Sequence, residues 1–294
     1  MSYKNSIAAF FMINYLIIKK IRKVDHVALN LNERELYLIA PIIAIFCKLF
    51  KVKYSVRVFG GNFDKLYCSS FPIKTILKFV INSSSVFFLQ TRRLVSEFSH
   101  FNNVVHLPTC RYVNNIEPIK KNKNFKNRFV FIGQIKKEKG IDIILEAFSN
   151  CLSASIDLFG PLEDEYTANI LNRDNVRYKG ILLNDKVIGT IQKYDYLVFP
   201  TIHSGEGYPG VIIESYAAGT PVISTDWMSI PEIVEHGKTG FLIEPNNTEA
   251  LVKVLSTIDE RRYENMRILA KDKFDEFDCN QVYGFYLKNL VRDS

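Results

Sequence analysis

Along the first hundred residues, short apolar runs of strand length alternate with longer runs of helical period. The pattern predicts a helix over 3–22, a strand over 24–31 (VDHVALNL), a helix over 35–50 and a strand over 53–59 (KYSVRVF). A Gly-Gly-Asn turn, a helix over 72–82, a strand over 85–90 and a short strand near 104–107 follow. Strands separated by helix-length segments form a parallel α/β sheet, since a parallel pair needs a crossover long enough to hold a helix. The pattern then lapses. Residues 114–127, NNIEPIKKNKNFKN, are polar, basic and without apolar period, as expected of an interdomain linker.

From residue 128 the alternation starts afresh. Strands are expected at 128–132, 155–159, 176–179, 196–199, 221–224 and 240–243. Helices are expected at 140–150, 163–172, 184–191, 210–218, 229–235, 247–257 and 259–274, with a carboxyl-terminal helix within 275–294 that packs back on the first domain. The domains are thus 1–113, a linker 114–127, and 128–274. In a doubly wound sheet, ligands sit beyond the carboxyl ends of the strands. The informative loops are therefore 133–140, 160–164, 180–184 and 200–210.

Charge divides the chain in the same place. Residues 1–127 carry 20 Lys/Arg against 6 Asp/Glu, and the remainder 18 against 25. A basic, aromatic-rich first half suits an anionic membrane face. No helix-turn-helix or RNA-binding signature accompanies it, so nucleic acid is not expected. The apolar runs Ile7–Ile18 and Leu36–Phe50 are too short to span a bilayer, and KKIRK rather than a cleavage site follows the first. They read as buried helices, the first alternatively as an interfacial one. Five scattered cysteines without a CxxC pair indicate neither a disulfide framework nor a zinc site and fit a reducing cytoplasm.

The stretch GEGYPGVIIESYAAGTPVISTD, Gly205 to Asp226, carries the candidate chemistry. Pro209-Gly210 opens a helix whose free N–H groups and positive dipole end make a seat for an anion. Gly207 and Gly210 let backbone approach a ligand closely. Glu206 precedes that seat and Glu214 lies one turn into the helix, so the two carboxylates can address opposite ends of one ligand. A carboxylate facing vicinal hydroxyls accepts two hydrogen bonds, as a ribose or hexose requires. Gly219 is the expected C-cap. Taken singly, Glu206 reads as a solvated loop acid and Lys139 as a surface lysine; their joint pattern is what suggests a site.

At these residues the chain resembles the retaining group 1, or family 4, glycosyltransferases of GT-B fold. Glu206 and Glu214 match that family's E-x7-E motif; SYAAGTPVISTD, PEIVEHGKTGFLIEP and FIGQIKKEKGIDIILEAF match in order and spacing. The resemblance implies two Rossmann-like parallel-sheet domains, the amino-terminal one incomplete because only about twenty residues precede VDHVALNLN. It implies that Glu214 holds the ribose of a nucleotide sugar, with UDP or GDP as the nucleotide. Glu206, with the backbone of Gly207, Tyr208, Pro209, Gly210 and Val211, would meet the donor sugar. Lys139 would neutralise the diphosphate, next to the Gly133-Gln134 turn. Glu206 and Lys139 are thus the expected catalytic residues, and no metal is expected because no DxD-type pair lies on the donor-side loops.

The sequence also departs from that family. Gln134 stands where an arginine is usual, leaving Lys136 or Lys137 as a second cation. In VRVFGGNFD the position of a common histidine is taken by Phe59, with Arg57, Asn62 and Asp64 as alternative polar groups or simply turn and surface residues. His203 reads as a polar loop residue and Asp226 as a cap of the next segment; Glu232 reads as a first-turn helix acid or, alternatively, as a contact of the donor. The implied activity is sugar transfer to a glycan or lipid-linked acceptor in surface polysaccharide assembly, peripheral to the cytoplasmic membrane face. The alternative is a non-catalytic remnant that retains a nucleotide-binding domain. A dehydrogenase is disfavoured, because GQIKKEKG is not G-x-G-x-x-G.

Overall fold

The computed structural model describes residues 19–113 and 124–291, together with Met12, Tyr15 and Leu16. Most of the expected helix 3–22 and most of the linker 114–127 lie outside the described residues. The chain divides into two compact units, one comprising residues to Pro108 and from Tyr283 onward, the other Thr109–Val282.

The first unit holds a four-stranded parallel sheet of β1 (His26–Asn32), β2 (Lys53–Phe59), β3 (Val86–Leu89) and β4 (Val104–His106), in that order. Asn32 ends β1 and caps the next helix, Glu33–Phe50, in a reciprocal box. Its side chain accepts from the Glu35 N–H at 3.0 Å, while the Glu35 carboxylate accepts from the Asn32 N–H at 3.1 Å. Leu36, Ile39, Ala40, Ile43, Ala44 and Cys47 form that helix's buried stripe, and Val56 and Val58 of β2 are buried in the same core. Its outer face exposes Leu38, Ile45 and Leu49. No helix among the described residues is long and apolar enough to cross a membrane.

Two polar side chains singled out in this unit are taken up by its own framework: Asp64 pairs with Arg93 at 3.0 Å, and Arg57 donates to the Pro108 carbonyl at 2.7 Å. The Asn62 backbone N–H donates to Glu33 at 2.9 Å.

The second unit holds a six-stranded parallel sheet: β5 (Arg128–Ile132), β6 (Ser155–Phe159), β7 (Val176–Tyr178), β8 (Tyr196–Phe199), β9 (Val222–Thr225) and β10 (Gly240–Ile243). Their spatial order is β10-β9-β8-β5-β6-β7. The first strand therefore lies in the middle, and the crossovers run outward from it in both directions. Between β5 and β8 the strand order reverses, a topological switch point beyond whose carboxyl ends such sheets bind ligands. Every residue of β8 and β9 is buried, as central strands covered on both faces require. A stack of Phe129, Phe148, Tyr196 and Tyr263 fills the core beside them.

Two expected helices are much shorter than their apolar pattern suggested. Over 163–172 only Ala168–Leu171 is helical, because the Thr167 side chain starts the helix there and Tyr166 turns in to bond Asp142 at 2.8 Å. Over 229–235 the chain makes one tight turn, Ile230–Glu232, ahead of a loop whose Glu235 N–H is held by Thr239. Gly219, with φ of 65°, ends the helix Gly210–Ala217 as expected.

Candidate functional site

The candidate site is built from the loops that follow β5 and β8. After β5 the chain turns through Gly133 and Gln134, makes a single helical turn at Lys137–Lys139, and enters the helix Ile141–Ser149 at Gly140. Gly140 has φ of 78°, and a Cβ there would lie 2.2 Å from the Pro200 carbonyl oxygen. Only glycine lets the two loops touch at this point. The contact sets Lys139 beside the β8 loop.

There the Lys139 Nζ meets the Glu206 carboxylate at 2.5 Å, with only 14% and 11% of the two side chains exposed. Thr201 Oγ1 donates to the same Glu206 oxygen at 2.9 Å. The Lys139 ammonium also lies 5.3 Å from the centre of the Phe199 ring, whose face favours a cation. Thr201, fully buried, is a site residue that pattern alone did not single out. Its signal was weak: a lone threonine after Pro200, in a loop where Glu206 and two glycines drew the attention. The loop is further tied by Trp227 Nε1, which donates to the His203 carbonyl at 3.0 Å.

Glu214 lies one turn along the helix Gly210–Ala217, with its side chain 21% exposed. Its partner is Arg111, whose Nε donates to Oε1 at 2.7 Å. A Cβ on Gly210 would lie 1.7 Å from Arg111 Nη2, so the guanidinium rests directly on the first turn of the helix. Arg111 is held firmly by its backbone: its N–H donates to the Phe277 carbonyl at 2.9 Å and its carbonyl accepts from Cys279 N–H at 3.1 Å. Cys110 Sγ and Cys279 Sγ stand 2.8 Å apart beside it, and burial and the neighbouring thiol push the Cys279 thiol up to about 12.

The remaining candidates fall into two groups. Gln134 donates to Glu163 at 3.0 Å, and Lys136 pairs with Glu138 at 3.2 Å. Glu138 also bonds the His203 ring at 2.9 Å, and that bond, with Lys136, holds its carboxyl below the usual range. Tyr208 is buried, its hydroxyl donating to Glu232 at 2.6 Å and its ring set edge-on to Phe277. Its side chain and Glu232 therefore shape the loop. Asp226 is exposed, and the turn that follows starts from Ser229 instead. Among the described residues no cluster of three or more His, Cys, Asp and Glu is arranged to hold a metal ion.

The site thus holds two contact sets within the second unit: Lys139 with Glu206 and Thr201, and Arg111 with Glu214 at the first turn at Gly210. Chemically it offers two cations and a helix N-terminus for an anion, with two carboxylates able to accept from hydroxyls.

Residues 126–259 match the family described as Glycosyl transferases group 1, and that match supports a glycosyltransferase family. The chain is 24% identical to the amylovoran biosynthesis glycosyltransferase AmsK of Erwinia amylovora, over 49% of this chain and 40% of that protein. It is 28% identical to the capsular polysaccharide biosynthesis glycosyltransferase CapM of Staphylococcus aureus, over 58% and 49% respectively. The matched part thus spans less than half of either relative. Among solved structures, Anabaena Alr3699/HepE in complex with UDP superposes with a TM-score of 0.77 at 15% identity, over 95% of this chain and 82% of that one. Sucrose-phosphate synthase of Thermosynechococcus elongatus gives 0.73 at 13%, over 100% and 82%. The fold is accordingly GT-B, an α/β architecture of Rossmann-like parallel-sheet units.

Proposed function

We propose that the chain is a retaining glycosyltransferase that moves a hexosyl group from a nucleoside-diphosphate sugar to a glycan or lipid-linked acceptor in surface polysaccharide assembly. The observation that carries this reading is the pairing of Lys139 with Glu206 and of Arg111 with Glu214 at the Gly210 helix start, on the loops at the switch point between β5 and β8. The polysaccharide-assembly roles named for AmsK and CapM, and the UDP bound by Alr3699/HepE, support it.

In this reading Glu214 accepts from the ribose hydroxyls and the N–H groups at Gly210 and Val211 receive the diphosphate. Lys139 swings from Glu206 toward the phosphate nearest the sugar, and Glu206 turns to a sugar hydroxyl. The bond from the anomeric carbon to the diphosphate oxygen breaks while the acceptor oxygen bonds to the same face of that carbon. The acceptor's proton passes to the departing diphosphate, whose charge Lys139 and the helix start stabilise. Holding acceptor and donor in register and stabilising the leaving group supply the rate; no side-chain nucleophile is called for.

The test is a thermal-shift panel of UDP- and GDP-sugars followed by transfer to lipid-linked acceptors, with the anomeric configuration of the product read by NMR. Binding to the folded state raises its melting point with ligand concentration. Stabilisation by no nucleotide would sink the reading; stabilisation without transfer would leave a nucleotide-binding remnant. An inverted product would overturn the retaining chemistry alone.

A further inference from the structure

Arg111 stands where a cation is ordinarily unwelcome. The first turn of a helix carries unpaired N–H groups and the positive end of its dipole, so a guanidinium resting on Gly210 adds like charge to like. Glu214 offsets this through one bond to Nε at 2.7 Å. Nη1 is turned to the carbonyl of Cys110 at 3.1 Å, while Nη2 lies against the helix start. Two sources of positive potential therefore converge on one small volume. The clamp on the Arg111 backbone by Phe277 and Cys279 keeps them converged.

A diphosphate ester brings about two negative charges, each oxygen accepting strongly from cationic donors. Lys139 is one cation for it. Gln134 is neutral and engaged with Glu163, and Lys136 is engaged with Glu138. Building on the nucleotide-sugar reading above, we propose that Arg111 is a donor-site residue whose guanidinium is the second cation of the diphosphate seat. The planar fork can keep Nε on Glu214 while its outer edge turns to a phosphate oxygen, so that one residue links the ribose carboxylate to the diphosphate.

The test is calorimetric titration of the full chain with UDP, UMP and uridine, and in parallel with GDP, GMP and guanosine. Wild type, Arg111→Gln and Arg111→Lys are compared. Arg111→Gln is expected to weaken nucleoside-diphosphate binding about tenfold or more, as befits one lost charge-assisted contact, while leaving the nucleoside within about twofold. Arg111→Lys should recover part of the loss and, if the glutamine variant does not fold, reads the same diphosphate-to-nucleoside ratio. An unchanged ratio in a folded variant overturns the assignment. Tighter binding of both diphosphate and nucleoside by Arg111→Gln also overturns it, since Arg111 would then only shield Glu214. A wild type that binds neither series removes the functional reading itself, a result distinct from wild-type binding that is indifferent to Arg111.

Discussion

Replacing Lys139 by methionine removes one half of an ion pair from which water is almost excluded. Glu206 would keep its bond from Thr201 but lose the 2.5 Å contact that balances its charge, with only 11% of its side chain exposed. Breaking a well-buried pair from one side costs about 3–5 kcal/mol, and the surviving threonine bond places this case at the low end, about 3 kcal/mol. Glu206→Gln should cost a similar amount by stranding the lysine. The double variant leaves no unbalanced charge, so its loss should be about 1–2 kcal/mol, far short of the sum. Trp227, the chain's single tryptophan, lies in the same unit and bonds the loop that carries Glu206, so its fluorescence during denaturant unfolding reports this unit directly. Additive single and double losses would refute the reasoning, because they would show that Lys139 and Glu206 are solvated neighbours rather than a coupled pair.

Glu214→Ala should lower nucleotide-sugar affinity about tenfold or more in a protein that still folds but melts lower, because Arg111 loses the carboxylate that offsets its charge at the helix start; unchanged affinity in calorimetry would sink the ribose assignment. Nucleoside-diphosphate binding and turnover should survive EDTA, with Lys139, Arg111 and the helix start balancing the charge; loss in EDTA and recovery with magnesium or manganese would contradict this. In the first unit, burial and then the nearby Lys53 charge hold the His26 pKa below its ordinary value of about 6.5. The unfolded state therefore binds a proton at a pH where the folded state does not. Stability should be full above about pH 6.5 and fall as pH drops through the folded value, and His26→Gln should flatten that part of the curve in melts between pH 5 and 7.5. The excess of 20 Lys/Arg over 6 Asp/Glu in residues 1–127 predicts peripheral binding to anionic vesicles that weakens as salt rises; flotation indifferent to lipid charge would count against it.

The sheets were legible because parallel strands covered on both faces must be nearly continuous apolar runs, as YLVF and PVIS are. Helices whose stripe packs on a long neighbour were legible too, Glu33–Phe50 above all. Period failed where a side chain broke the helix from outside its own turn: Thr167 with Tyr166 in one case, Thr239 bonding back to Glu235 in the other. In the site, Lys139, Glu206 and Glu214 could be picked out because glycines, a helix start and ordered neighbouring blocks surround them. Arg111 could not. It precedes a polar stretch of linker character, and its partner lies 103 residues away, a pairing that local spacing cannot reveal. Thr201 was hidden for a related reason, since its importance lies in being buried against an acid and not in its chemical type.

The bonds that join Arg111 to Phe277 and Cys279 fasten together the two places where the chain passes into and out of the second unit. A unit whose ends meet at one point behaves as a cassette, able to be lifted from one chain and set into another without stretching either connection. Its natural cuts are then near residues 109 and 282, since a fragment running from 128 to 274 would discard the fastening along with Arg111 itself. The same join gives a starting point for circular permutation, in which the old ends are sealed beside Cys110 and Cys279 and new ones opened in an exposed loop away from Lys139 and Glu206.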